Sequence, residues 1–554
     1  MKRIIYSIIF GICILGISCE NKFDDLPQDY YNIDDILTDS VFVIGIINDI
    51  YYALPDGYNR LGGNSMIAST TDEAVQSGNA SEAQFMALGV WSASILRDDA
   101  WSSSYAAIRK ANLFLNEIYP KIPDKLFRSD RTVELLVGQS YFLRAFFYFE
   151  LVKRYGGVPI ITEVLGIGDG TDIGRNNYDD CISFIVEQCN EAAAILPVTW
   201  GNAAIDFGRA TKGAALALKS RALLYAASPL YNDPSKPGNA IDHGAFSEEK
   251  WQTAAQAAYD VTNLGVYQLS NNYATFFTTL DGNKEIIFNK MDERNNNVEM
   301  LNGTTGFTGG KGGACPTLDL VDAYEMSDGS SFNWDNPDHA LNPFLNREPR
   351  FYASVLYNKV SWMGSEIETF EGGKDLGNIN STKTGFYLRK FMSEDARWFG
   401  GSIGTTLHCF PFIRYAEILL NFAEAMNEAS DNPESTGTFG LSALSAINEV
   451  RTRAGVPLLP TGLTKDEMRD KIQHERQIEL AFEEHRHLDI RRWKIAESVL
   501  EEPVSGLKIT NNDGTFTYER KVAQNRIFRS EMYLYPIPQS EINRNSSLVQ
   551  NTGW

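Results

Sequence analysis

The sequence predicts a mainly α fold: one large helical unit carrying an irregular, loop-rich insert. Two observations predict it. Apolar and aromatic residues recur at helical spacing through much of the chain before residue 266 and again after 411. Between those limits Gly, Asn and Asp become frequent, as in Asn302–Gly313 and Ser361–Asn380, and the periodicity disappears.

In chain order, residues 1–18 have the layout of a signal peptide. Lys2 and Arg3 precede an apolar run from Ile4 to Ile17, too short for a span of about 20 residues. The run ends Leu15-Gly16-Ile17-Ser18-Cys19, which places a small residue directly before a cysteine whose thiol can receive diacylglycerol. Cys19 is therefore the expected lipid attachment point, with residues 19–50 as a polar tether that begins Glu20, Asn21, Lys22. Helices are predicted over Ala100–Ile118, Val133–Arg154, Tyr178–Ile195, Lys212–Ala227 and Glu249–Leu264. The second should stop at Gly156-Gly157-Val158-Pro159. The helices opening at 212 and 249 are Ala-rich, and that separation is near the tetratricopeptide period of roughly 34 residues. Residues 51–266 thus form an N-terminal helical half, and 267–411 a loop-rich insert expected to hold the ligand, since long loops in compact proteins are usually functional. Residues 412–554 form a C-terminal helical region with helices at Phe412–Glu428, Leu441–Ala454 and Thr464–Glu483. Thr464 and Glu467 supply a capping box for the last.

The 554 residues carry a formal charge of −21, which argues against nucleic acid and anionic lipid as partners. No second apolar run is long enough to cross a bilayer, so membrane contact is expected through the lipid alone. Cys181 and Cys189 lie on one predicted helix, about 12 Å apart at 1.5 Å per residue, beyond disulfide reach. Together with Cys315 and Cys409 they are expected to be buried thiols.

Long motifs add a family resemblance. QSYFLRAFFYFELVKRYGGVPIITE (139–163), RYAEILLNFAEAMNE (414–428), INEVRTRAGV (447–456), ERQIELAFEEHRHLDIRRW (475–493) and YPIPQSEINRNSSLVQNTGW (535–554) resemble, in order and spacing, the SusD/RagB family. That resemblance implies tetratricopeptide-like hairpins in a right-handed superhelix with an irregular region packed on it. It also implies a surface-exposed outer-membrane lipoprotein that captures a nutrient glycan for a SusC-like TonB-dependent transporter. Peptide capture with the same partner is the alternative, and an all-α surface glycosidase a more distant one.

The residues themselves point to binding rather than catalysis. Glu475, Glu479 and Glu483 share one helical face beside Arg476, Arg486, Arg491, Arg492 and Arg414. This suits an ion-pair network better than an acid–base pair facing across a cleft. His474-Glu475 fails as a zinc motif because Ile478 stands where a second histidine is needed. No catalytic residue, metal ligand or cofactor site is expected. Sugars present apolar C–H faces and hydroxyl edges, so flat aromatics with amides beside them are the candidates. Loop tryptophans Trp91, Trp334, Trp362 and Trp398 are the expected platforms, whereas Trp101 and Trp251 fall on helical patterns and read as core. Cys19→Ala should abolish labelling by palmitate and release the protein from the membrane fraction; equal labelling of both forms would remove the lipid anchor from the reading.

Overall fold

The computed structural model describes residues 32–554, apart from 167, 171, 202–205, 237 and 281. The expected signal peptide, Cys19 and the first part of the tether lie outside the described residues. The tether does not reach residue 50. Asp39 caps helix α1 (Ser40–Tyr52), and Val43, Ile47 and Ile50 are fully buried at the spacing of one helical face. The chain is therefore packed into the core from residue 40 onward.

Helix α2 (Trp101–Leu113) runs into a π turn over Phe114–Ile118. Helix α3 (Asp130–Tyr155) is capped by Ser129 and is buried on every side from Phe142 to Tyr155. It ends where Gly156 turns to φ +77, with Ile241 O only 2.7 Å from where a Cβ would lie, so a side chain there meets backbone. The charges in the buried stretch of this helix are all partnered. Arg144 donates to Gln188 Oε1 and Asn112 Oδ1, and Glu150 accepts from Arg60, Lys153 and Arg154.

Helix α4 (Tyr178–Ile195) packs on α3, and α5 (Lys212–Ala227) on α4. Helix α6 (Glu249–Thr262) then pairs with α5 through alanines. Ala214, Ala215, Ala217 and Ala222 on one helix and Ala254, Ala255 and Ala258 on the other are all nearly unexposed. Helix α7 (Tyr415–Ala429) closes on α6, α8 (Ala443–Ala454) on α7, and α9 (Lys465–Glu479) follows with the capping box at Thr464 and Glu467. Helix α10 (His485–Arg492) completes the helical layer. The fold is mainly helical and built of successive packed helix pairs, as expected.

Two elements differ from expectation. Phe412–Arg414 is not helical. It ends strand β3 (Cys409–Arg414), which follows the short β2 (Tyr387–Leu388), pairs antiparallel with β1 (Ile286–Met291) and is buried on both faces. Pro411 and the aromatic neighbours suit a strand better than a first helical turn. The second is a hairpin, β4 (Val504–Asn512) with β5 (Thr515–Gln524), turned by Asp513 (φ +51) and Gly514 (φ +90). The Asp-Gly pair is its sequence signal, a two-residue turn needing positive φ at both positions. The insert contains only short helices and strands of up to six residues. Cys181, Cys189, Cys315 and Cys409 are buried free thiols; burial pushes Cys181 up to about 11 and Cys315 to about 12.

Helix α9 stops at Glu479, four residues short of expectation, so Glu483 lies in the turn that follows and not on one helical face with Glu475 and Glu479. All three are nonetheless buried and paired, mostly with cations distant in sequence. Arg414 Nη1 lies 2.7 Å from both Glu479 Oε1 and Glu285 Oε1, and its Nε 2.6 Å from Glu483 Oε2. Arg350 Nη1 bridges Glu475 (2.5 Å) and Glu479 (2.9 Å), Arg451 takes Glu475 and Glu325, Arg453 takes Glu285 and Glu479, and Lys390 takes Glu483. Of the nearby arginines, Arg476 and Arg492 instead pair with Asp489 and Glu424, Arg486 with Asp72, and Arg491 donates to backbone carbonyls.

Burial opposes ionisation of Glu479, yet Arg453, Arg414 and Arg350 hold it far below the usual carboxylate range. Glu475, Glu150, Asp98 and Asp489 are also lowered against burial by their cationic partners. Each is a stronger acid folded than unfolded. Their contribution is thus complete above about pH 4.3 and is lost as pH falls below it. Urea denaturation at pH 3 and pH 7 should show this loss. At neutral pH, Glu479→Ala should cost about 3–5 kcal/mol by leaving buried cations unpaired.

Candidate ligand-binding face

The structure separates the four candidate tryptophans. Trp91 is 6 % exposed and packs against Tyr535 and Trp554, with ring centroids 5.1 and 4.7 Å away. Trp362 is 1 % exposed, with the Arg389 guanidinium 5.4 Å from its ring. Neither offers a face to a ligand. Trp91 lies on a loop as expected and Trp362 in a two-residue strand, but both tryptophans turn inward onto the core. Trp101 is buried as expected, while Trp251 is only half-buried.

Trp334 is half-buried and its indole N–H donates to Asp322 Oδ2 at 3.0 Å. Phe332 meets it edge-on at 5.1 Å, stacks on His339, and carries Arg347 on its ring. Burial pushes the Asp322 carboxyl up to about 6 against the pull of the Trp334 N–H and Arg520. Much of the polar company that made Trp334 attractive is thus spent within the protein.

Trp398 stands in a more open setting. It is half-buried, and its N–H donates to Thr308 O at 3.1 Å, which fixes the indole edge. Phe399 lies 5.0 Å away edge-on, and Phe307 stacks on Phe399 at 4.3 Å. Gly303 is required here, because a Cβ would lie 2.2 Å from Trp398 Cη2. Asn296 holds the far side by donating to Arg397 O and Gly404 O.

Further contacts join four loops into one patch around this tryptophan. Ser77 donates its hydroxyl to Lys311 O and its N–H to Gly313 O. Thr305 and Ser381 share a hydroxyl hydrogen bond of 2.8 Å, and Gly306 N donates to Asp375 Oδ1. Gly312 approaches Asn380 so closely that a Cβ would sit 2.1 Å from its carbonyl oxygen. On these loops Asn79, Lys311, Asn378 and Arg397 are exposed. Ile379 and Ile403 expose 67 % and 71 % of their surface, unusual for isoleucine. Among the described residues, no ring contact or hydrogen bond joins Trp334 to Trp398.

Phe307, Phe399, Ile379 and Ile403 were not singled out from sequence. The Trp398-Phe399 pair followed by Gly400-Gly401 was the available signal for an aromatic tip on a loop. The face can offer flat apolar surface beside amides and the cationic side chains of Arg397, Lys311 and Lys374. Glu475, Glu479 and Glu483 lie elsewhere, at most 3 % exposed and occupied by cations. Among the described residues no group of three or more His, Cys, Asp or Glu side chains could hold a metal ion.

Comparison with known proteins decides the family. The profile of the SusD family matches residues 279–554, and one described as "Starch-binding associating with outer membrane" matches 34–224. The chain belongs to the SusD family. Among its relatives, SusD-like protein P2 of Formosa agariphila is 26% identical over 482 residues, covering 81% of this chain and 79% of that one. A crystal structure of a SusD-like protein from Bacteroides fragilis superposes with a TM-score of 0.77 at 29% identity, over 94% of this chain and 98% of that one. A SusD-like carbohydrate-binding protein from the same species gives 0.75 at 27% identity, over 93% and 100%. The second profile's description associates this part of the SusD family with the outer membrane, and no helix among the described residues is long and apolar enough to cross one.

The distinction between buried and accessible tryptophans is testable in this SusD-family protein. Trp362→Ala should lower stability by about 3–5 kcal/mol, as for other buried aromatics, and leave ligand affinity per folded molecule unchanged. Thermal denaturation alongside calorimetry checks both; a lost affinity with unchanged stability would return Trp362 to the binding face.

Proposed function

We propose that this protein is a lipoprotein anchored to the outer membrane through Cys19. It binds a nutrient glycan on the loop face around Trp398 and delivers it to a SusC-like TonB-dependent transporter, catalysing nothing itself. The observation that carries the reading is Trp398, an accessible indole locked by its hydrogen bond to Thr308 and backed by Phe399 and Phe307. A pre-positioned aromatic face loses little entropy on stacking against a sugar ring. Asn378 and Asn79, exposed on adjoining loops, supply donors and acceptors for hydroxyls. That a structural relative from Bacteroides fragilis is a SusD-like carbohydrate-binding protein supports the same class of ligand. In this reading residues 267–411 are the ligand-binding insert of one continuous unit.

Peptide capture remains the second reading because Ile379 and Ile403 are so exposed; apolar tips suit side chains as well as sugar C–H faces. The test is an array of polysaccharides and peptides probed with the detergent-solubilised full-length protein, followed by calorimetry on each hit. Trp398→Ala should weaken a glycan hit by roughly ten- to 100-fold, about 1.5–3 kcal/mol, with the melting temperature little changed. Unchanged glycan affinity in Trp398→Ala would remove the loop face from the reading. Binding of peptides alone would replace the glycan with a peptide.

A further inference from the structure

A cleft of about 1020 Å³ opens between the start of α6, the end of α7, the first half of α9 and the segment after α10. It shares no residue with the Trp398 face. Three aromatics line it beside Pro229, Pro234, Ile472 and Ile495: Phe246 is 43 % exposed, Trp251 is half-buried, and Trp493 is buried. The Trp493 N–H is committed to Glu424 Oε1 at 2.8 Å, whereas the Trp251 N–H has no acceptor among the described residues.

The charges sort the possible ligands. Every cation on the walls already has an anion: Arg469 is chelated by Glu428 at 2.6 Å, Lys494 faces Asp233 at 3.5 Å, and Lys465 donates to Glu428 O and faces Asp431. An anionic ligand would find no free partner. Asp470, Glu248 and the Gln473 amide line the cleft without a hydrogen-bond or ion-pair partner among the described residues. A purely apolar ligand would have to strip water from these groups at a cost. The walls carry more carboxylates than cations, so a lysine-rich peptide is the competing occupant that the titration must exclude.

What fits is a neutral molecule with apolar faces and many hydroxyls. Carboxylates accept from hydroxyls, the amide does both, and the indole N–H donates, while aromatic rings take the C–H faces. The volume lies at the upper end of ordinary ligand pockets, about 300–1,000 Å³, which suits an oligosaccharide. We infer that this cleft is a second saccharide-binding site. The inference rests on the glycan reading above and extends it: one protein would hold a glycan chain at two separate points, so that a long chain gains avidity that a short one lacks.

The experiment is calorimetric titration of the solubilised full-length protein with maltoheptaose, laminariheptaose and the heptasaccharide of any polysaccharide that the array returns. Two sites per molecule are expected. Phe246→Ala combined with Trp251→Ala should leave one, Trp398→Ala should leave the other, and the triple variant none. Asp470→Asn, exposed and nearly isosteric, should weaken the cleft site at least fivefold with no change in melting temperature, which separates binding from folding. A single site that is lost with Trp398 and indifferent to Phe246, Trp251 and Asp470 overturns the cleft and leaves the loop face. A single site lost with Trp251 and Asp470 but kept in Trp398→Ala upholds the cleft and overturns the loop face. Capture of a lysine-rich peptide in place of sugar by the cleft, or no glycan bound at all, overturns it as well.

Discussion

The buried cluster centred on Arg414 and Glu479 is the constraint around which this structure is organised. Arg414 ends strand β3, Glu479 ends α9, Glu285 immediately precedes β1, and Arg350 and Lys390 come from the irregular insert. Five parts of the chain that share little local regularity therefore meet at one set of charges. Buried ion pairs add little net stability over well-packed apolar residues, but removing one partner is severely unfavourable. In this fold, their effect is to penalise any arrangement of the insert that leaves a carboxylate or guanidinium alone.

Backbone geometry beside the cluster is consistent with that role. Phe391, Phe482 and Glu484 all have positive φ, a conformation that side chains such as these rarely adopt. Two flank Glu483 and one follows Lys390, which form an ion pair. Strain of this kind persists only where the surroundings over-determine the backbone. Satisfying several buried charges at once does so here.

The insert has no long regular element of its own, so its order comes from anchoring. Arg350 and Lys390 tie it to α9 and the turn that follows, while glycines at 303 and 312 let its loops approach Trp398 and Asn380. Hydroxyl and amide hydrogen bonds from Ser77, Thr305 and Asn296 then hold the loops together. A binding face made of loops gains pre-organisation this way, and the helical layer beneath it need not move.

The sequence by itself determined most of the helical layer, though not α1, which fell within the expected tether, or α10, where no helix was expected. Periodicity placed α4 and α5 to the residue, α3 to within three, and the capping box at Thr464 marked the start of α9, because these signals are local and repeat every turn. It also showed that Glu475, Glu479 and Glu483 need cations, although Glu483 proved to lie in the turn after α9 and not on its face. Which cations was decided only by the tertiary structure: Arg350, Arg451 and Arg453 arrive from elsewhere in the chain, and the arginines adjacent in sequence point to Asp489, Glu424 and Asp72 instead. The same holds for the tryptophans. Polar neighbours located Trp91, Trp334 and Trp398 on loops and Trp362 in an irregular region, where it forms a two-residue strand, but such composition does not state which way a segment is folded over the core. Trp91 and Trp362 fill the interior, and Trp398 keeps an accessible face because Thr308 and Gly303, distant in sequence, hold it there. Burial of an irregular segment depends on contacts between residues far apart in the chain, and such contacts leave no periodic trace in the sequence.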